Sequence, residues 1–288
     1  LHKYHPHAKI WLSPQSFRPE KSWFDAFFKQ VNKKPDWLGG VVFGPWVKIP
    51  IEDIRKIVHA SIPIRNYPDI THSTQSQYQV PNWDPAWSFA LGREAINPRP
   101  LDYKLIHNNV APYCVGSISY SEGTNDDLNK FLWSDQDWDI KKSVAESMKD
   151  YARFFFGPEF AETGALALSA LEENHRGSAI SNTEVQQTLW KWQALEKEAS
   201  PTLLQNPRFQ MGLLRAVYDA YTQERLIYET NLEREAREVL HSVMQSGNQE
   251  DIPKVYTILE RGWKEPVRQD LKSKCLELAD ALFESIGA

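Results

Sequence analysis

The stretch Gly40-Val41-Val42-Phe43-Gly44-Pro45-Trp46 is a short apolar run that ends in a turn and an aromatic residue. Similar runs occur at residues 9–12, 62–64 and 115–119, and each is followed by a stretch with helical periodicity. Strands that alternate with helices form parallel sheets, and ligands bind where those strands end. The repeat therefore predicts an α/β region with a site at the carboxyl ends of its strands.

The sequence after residue 138 has a helical pattern throughout. We therefore predict two domains, a partial (β/α) barrel over residues 1–138 and an α-helical bundle domain over residues 139–288. A complete barrel needs eight strand–helix units and typically ~250 residues, whereas this chain supplies four. Three explanations stay open: the first barrel half precedes this fragment, another chain closes the barrel as in a homo-oligomer, or the sheet is open.

Composition narrows the function classes. The 288 residues carry a net charge of -5 without a basic stripe, which excludes the usual nucleic-acid partner. No run approaches the ~20 apolar residues of a membrane span, so we expect no membrane insertion. The two cysteines lack a metal or redox spacing, and Gly39-Gly40 opens a strand rather than a helix. We therefore expect neither a cofactor nor a metal.

The third predicted strand is followed by five different polar groups. Arg65, Asn66, Tyr67, Asp69 and His72 supply a guanidinium, an amide, a phenol, a carboxylate and an imidazole. This mixture of donors and acceptors suits a polyhydroxylated ligand such as a sugar. The alternative is a local turn that contains Asp69, with Arg65 paired to a nearby carboxylate.

The fourth predicted strand is followed by Glu122, placed where a barrel enzyme holds a general acid or base. Asn125 and Asp126 either contact the ligand or cap the next helix. Asp69 and Glu122 together would supply the two carboxylates of glycoside hydrolysis. Trp46 would stack on the apolar face of a sugar, unless it packs beneath a loop.

A family resemblance enters at these strand ends. Gly44-Pro45 matches part of the W-T-G-P strand end of glycoside hydrolase family 84, the hyaluronidase-like β-N-acetylglucosaminidases. Asn66, Pro68 and Asp69 match part of that family's D-N-x-P-x-N-D strand end, although Arg65 replaces its first Asp. The resemblance implies a substrate-assisted mechanism, in which the acetamido oxygen of the sugar attacks the anomeric carbon. The Asp pair that serves this step lies on an earlier strand, outside the present chain.

Nearly the whole chain resembles an uncharacterised bacterial family of glycoside-hydrolase-like barrels with a helical C-terminal region. The stretches that carry this resemblance are WLSPQSF (11–17), VVFGPW (41–46), PIRNYPDITHS (63–73), INPRP (96–100), YSEGTNDDLNKFLWS (120–134) and YARFFFGPE (151–159). The resemblance implies that this chain is a fragment of a longer protein and that it carries the substrate-binding half. An extracellular or periplasmic location would follow from it.

We therefore expect an α/β plus all-α fold, the C-terminal half of a (β/α)8 TIM-type barrel followed by a helical bundle. The expected function is that of a glycoside hydrolase acting on an N-acetylhexosaminide-type glycan, with Glu122 and Asp69 as catalytic candidates. The substrate-binding candidates are Trp46, Arg65, Asn66, Tyr67, His72, Asn125 and Asp126. The alternative is a non-catalytic carbohydrate-binding or scaffolding protein on a barrel-derived fold.

Overall fold

The structure, a computed structural model, describes residues 3–16, 20–119, 121, 123 and 125–287. The described part of the chain is mostly helical, with 62% of its residues in helices. The chain forms two compact units. Unit 1 consists of the described residues of Leu1–Val80 and Arg93–Ser147, and unit 2 of those of Pro81–Gly92 and Met148–Ala288.

Unit 1 contains a small parallel sheet. Its strands are β1 (Ile10–Leu12), β2 (Leu38–Phe43) and β3 (Ile64–Asn66), in the spatial order β1-β2-β3. The register between the last two strands places Phe43 opposite Asn66. Because all strands run in the same direction, the residues that follow them share one edge of the sheet. This edge is where the sequence predicts a site.

Helices connect and follow the strands. Helix α1 (Lys21–Val31) follows β1, and α2 (Ile51–Ile57) follows β2. The remaining helices are α3 (Pro85–Leu91), α4 (Pro100–Val110), α5 (Asp127–Trp138), α6 (Val144–Phe155), α7 (Ala161–Glu173), α8 (Glu184–Glu198), α9 (Pro201–Leu204), α10 (Pro207–Ser246), α11 (Ile252–Lys264) and α12 (Gln269–Ile286).

One hydrophobic core joins the sheet to the first two helices. Phe24 and Phe28 are four residues apart on α1, so both side chains point to the same face of the helix. Ile54 of α2 and the sheet residues Val41 and Ile64 have no exposed surface. The core therefore fixes the sheet at its helical face and leaves the loops after the strands to form a site.

The predicted half of a (β/α)8 TIM-type barrel is wrong. The structure is mainly helical, and the described part of the chain holds three strands in one sheet. The run at 115–119, predicted as a fourth strand, forms one isolated parallel bridge between Ser117 and Asn66. Val115 is 67% exposed and Ile118 is 51% exposed. Because the apolar side chains of this run are not buried, nothing extends it into a full strand.

Unit 2 is helical and is organised along α10, which has 40 residues. Asn206 begins this helix, since its side chain accepts hydrogen bonds from the backbone N–H groups of Arg208 and Phe209. Pro207 occupies the first helical position, where its missing N–H costs nothing. The helix ends at Gly247, whose φ of 72° is left-handed.

The side chain of Trp192 on α8 is fully buried in unit 2. Its Nε1–H donates to the backbone oxygen of Ala167 at 3.1 Å, which satisfies the only polar atom of the side chain. Its ring meets the ring of Phe209 at 5.7 Å between centroids, with an angle of 62° between the planes. Gly212 of α10 faces the same indole, and a Cβ there would lie 2.0 Å from a Trp192 ring carbon.

Replacement of Gly212 with alanine is therefore expected to lower the free energy of unfolding by about 1–3 kcal/mol, because the core must move to admit a methyl group. The matched control is Gly262→Ala in α11, where the nearest atom to the new Cβ is Leu232 Cδ1 at 3.8 Å. There, alanine is expected to stabilise by about 1 kcal/mol through helix propensity. Urea unfolding followed by circular dichroism measures both; equal stability of the two variants would contradict the close packing at Trp192.

Among the described residues, no helix combines the length and the apolar character required to cross a bilayer.

Candidate functional site

The loop after β3 carries a group of buried polar side chains. Asn66 ends the strand, and Asp69, Thr71 and His72 follow it. All four residues are no more than 4% exposed. Buried polar groups need hydrogen-bond partners, so their contacts show how the loop is held.

Asp69 and His72 form a tight pair. The His72 Nδ1 atom lies 2.9 Å from both oxygens of Asp69. Because an ionised carboxylate only accepts, the ring proton resides on Nδ1 in this arrangement. The Asp69 Oδ1 atom also accepts the backbone N–H groups of Thr71 and His72, each at 3.2 Å. The His72 Nε2 atom lies 3.6 Å from Glu94 Oε1. Asp69 is thus a carboxylate held in one orientation by its own loop.

The start of helix α5 supports the same loop through Asp126, which directly precedes the helix, and through Asn129. Asp126 is fully buried and accepts a hydrogen bond from Thr71 Oγ1 at 2.5 Å and one from Lys130 Nζ at 3.2 Å. The Nδ2 atom of Asn129 donates to the backbone oxygen of Ile70 at 3.2 Å. These bonds fix the path of the chain between Asp69 and His72. Asp126 acts here on the loop and is not part of the cavity lining described next.

A cavity of about 560 Å³ opens at this edge of the sheet, and we call it the Trp46 cavity. Its lining residues are Pro45, Trp46, Lys48, Asp69, Gln75, Ser76, Gln77 and Arg93. Trp46 is 40% exposed, and its backbone N–H donates to Gln15 Oε1 at 3.1 Å. Gly44 makes this contact possible, since a Cβ there would lie 2.6 Å from the Gln15 amide. The loop after β2 therefore presents an indole to the cavity that also holds Asp69.

Several side chains of the Trp46 cavity carry hydrogen-bond donors. The Lys48 Nζ atom lies 5.2 Å from the Trp46 ring centroid. Gln77 accepts the backbone N–H of Asp69 through Oε1 at 3.1 Å. Its Nε2 atom is buried and has no hydrogen-bond partner within the described residues. Arg93 contributes a guanidinium whose Nη1 lies 3.2 Å from Glu94 Oε1.

A smaller cavity of about 290 Å³ lies beside Asn66, and we call it the Asn66 cavity. His107 Nε2 lies 3.0 Å from Asp137 Oδ1, and Ser117 Oγ donates to the second oxygen of that carboxylate. Asn66 Oδ1 is buried without a hydrogen-bond partner in the described part of the chain. Burial, with a further contribution from Asp137, raises the pKa of the Cys114 thiol to about 12, so it stays protonated at neutral pH.

No family model, no curated protein and no solved structure matches the chain.

The resemblance to glycoside hydrolase family 84 therefore stays a prediction. The candidate site rests on the geometry alone.

The sequence-predicted residues separate into groups. Trp46 and Asp69 line one cavity, and Asn66 lines the other. The Arg65 guanidinium lies over the Trp11 ring at 4.3 Å from its centroid. The structure places the remaining candidates outside both linings: His72 contacts Asp69, Tyr67 N–H donates to Phe43 O, Asn125 Nδ2 donates to Glu94 O, and Asp126 holds Thr71. Glu122 lies outside the described residues.

Sequence reasoning missed five polar residues of the Trp46 cavity, namely Lys48, Gln75, Ser76, Gln77 and Arg93. Lys48 follows Trp46 by two positions, so the strand-end rule could have included it. The two glutamines lie in residues 71–98, which the sequence predicts to be one long irregular connection, and a connection of this length inside a compact domain is usually functional. Nothing in the sequence indicates Arg93, because its position depends on the path of that segment. Among the described residues, no three His, Cys, Asp or Glu side chains cluster as metal ligands would.

Proposed function

We propose that the protein is a glycoside hydrolase that acts on an N-acetylhexosaminide-type glycan bound in the Trp46 cavity. The observation that carries this proposal is the shared cavity of a buried carboxylate, Asp69, and an exposed indole, Trp46. A sugar offers hydroxyl groups to polar side chains and an apolar C–H face to an aromatic ring. The volume of about 560 Å³ is within the usual range for small-molecule sites.

In this proposal Asp69 orients the sugar and stabilises developing positive charge. Glycoside hydrolysis passes through an oxocarbenium-ion-like transition state, which a fixed negative charge stabilises. The contacts with His72 and with two backbone N–H groups hold the carboxylate in place before the ligand arrives. Glu122 remains the predicted second carboxylate.

Trp46→Ala is expected to weaken binding of N-acetylglucosamine by about 1 kcal/mol, roughly fivefold in Kd, because stacking on the indole is lost. Trp37→Ala is the matched control, since Trp37 is 38% exposed, compared with 40% for Trp46, and does not line the cavity. Isothermal titration calorimetry on the whole chain measures both. Equal affinities of the two variants would place the sugar elsewhere.

A second candidate function is non-catalytic sugar binding. It is favoured by the lining of the Trp46 cavity, which contains one carboxylate among its described residues, whereas glycoside hydrolysis usually employs two. Hydrolysis of nitrophenyl N-acetyl-β-glucosaminide distinguishes the two candidates. Turnover supports the hydrolase, and binding without turnover supports the sugar-binding protein. Absence of both binding and turnover would refute both.

A further inference from the structure

The described wall of the Trp46 cavity carries more cationic than anionic side chains. Lys48 and Arg93 contribute two cations, and Asp69 is the one carboxylate among the described lining residues. Asp69 is held by its own loop, because both of its oxygens lie 2.9 Å from His72 Nδ1 and its Oδ1 atom accepts two backbone N–H groups at 3.2 Å. Among the described residues it forms no ion pair with Lys48 or Arg93.

The side chains of Lys48 and Arg93 remain able to bind an anion. Within the described residues Lys48 has no carboxylate partner, and its Nζ atom lies 5.2 Å from the centroid of the Trp46 ring. Arg93 pairs with Glu94 at 3.2 Å, but their side chains are 36% and 59% exposed. Such an exposed pair contributes little to stability, so Arg93 can exchange Glu94 for a better acceptor.

Gln77 adds a neutral donor to the same wall. Its Oε1 atom is committed to the Asp69 backbone N–H at 3.1 Å, which fixes the orientation of the amide. The Nε2 atom is thereby left buried without a partner among the described residues. A buried donor without a partner is unfavourable, and an acceptor that reaches it removes that cost.

From these observations we infer that the cavity takes a sugar that bears an oxyanion, either a carboxylate or a sulfate. Lys48 and Arg93 supply the charge, and Gln77 Nε2 supplies a directed hydrogen bond to one oxygen. Hydrogen bonds to charged groups are stronger than those between neutral groups, so the anionic substituent would dominate recognition. This inference rests on the proposed function, because it assumes that the Trp46 cavity is the sugar site.

The experiment compares three related sugars by isothermal titration calorimetry on the whole chain: N-acetylglucosamine, its 6-sulfate, and N-acetylmuramic acid, which carries a carboxylate. At least one anionic sugar is expected to bind tenfold or more tightly than the neutral one at low salt. The advantage should shrink as the ionic strength rises, because salt screens the cations. The stronger of the two anionic sugars identifies sulfate or carboxylate as the preferred group.

Two variants test whether Lys48 and Arg93 cause the preference for anionic sugars. In the Lys48→Gln and Arg93→Gln variants, the ratio of neutral to anionic Kd is expected to fall from at least ten towards one. Lys33→Gln is the control, since Lys33 is exposed and contacts Gln30 outside the cavity. It should retain the ratio of the unmodified protein.

The possible outcomes distinguish a failure of this inference from a failure of the proposed function. Equal binding of neutral and anionic sugars would overturn the inference and leave the proposed function intact. An anionic preference that survives both substitutions would also overturn it, because the preference would arise elsewhere. Failure of all three sugars to bind would overturn the proposed function together with the inference.

Discussion

Replacement of Asp69 with asparagine is expected to lower kcat/KM for an aryl N-acetylhexosaminide by well over tenfold, equivalent to about 2 kcal/mol or more of transition-state stabilisation. The substitution keeps the size of the side chain and removes its charge. It also directs an NH2 group towards donors that now point at a carboxylate: the His72 ring and two backbone N–H groups. Asp25→Asn is the control, because Asp25 is 62% exposed and pairs with Lys21 on the surface.

A second substitution separates the charge of Asp69 from its hydrogen bonds. His72→Asn retains an amide donor near the position of Nδ1, so Asp69 keeps its charge and one of its partners. Its activity is expected to fall less than that of Asp69→Asn. Thermal melting by circular dichroism shows whether either variant is unfolded. Unchanged kinetics in a folded Asp69→Asn protein would remove Asp69 from the site.

Asp219→Ala should have the largest effect on stability, a loss of about 3–5 kcal/mol. In unit 2 the Arg215 Nε atom lies 2.8 Å from Asp219 Oδ1, and the two side chains are 2% and 0% exposed. Asn174 Nδ2 donates to the other oxygen at 2.8 Å. Loss of the carboxylate leaves a buried guanidinium without this counter-charge, in a medium that solvates charge poorly.

The double variant Arg215→Met with Asp219→Leu is the matched control for this ion pair. Buried ion pairs are often replaced by apolar residues of similar volume with little loss of stability. The double variant is therefore expected to recover most of the stability that Asp219→Ala loses, as measured by urea unfolding. A loss below about 1 kcal/mol in Asp219→Ala would mean that the pair contributes no more than a surface contact.

Local patterns predicted many individual elements. The stretch with helical periodicity after the first apolar run is helical in the structure as Lys21–Val31, and three of the four apolar runs form strands. Helix α3 lies inside the segment predicted to be irregular. Its signal was present in Asp84-Pro85, because Asp84 accepts the backbone N–H of Ala86 at 2.9 Å and Pro85 occupies the first turn.

Long-range arrangement was harder to predict. The barrel prediction was wrong because the run at 115–119 has the composition of a strand but not the burial of one. The meeting of Trp46 and Asp69 was predictable, since both residues follow neighbouring strands of a parallel sheet. Arg93 lines the same cavity because the chain returns to unit 1 at this residue, after residues 81–92 in unit 2. No spacing in the sequence predicts that return.

Burial along helix α10 is uneven, so the two halves of this continuous helix differ in the free energy needed to open them. Between Phe209 and Gln223 many side chains are buried, whereas further along the described burial is confined to Leu232 and Ala236. Opening of a helix requires less free energy where fewer apolar contacts must separate. Amide protons near Gly247 therefore become accessible to solvent through local fraying. Those near Gly212 exchange with solvent only when the core around Trp192 unfolds. Hydrogen exchange along this one continuous helix therefore reports two different opening events.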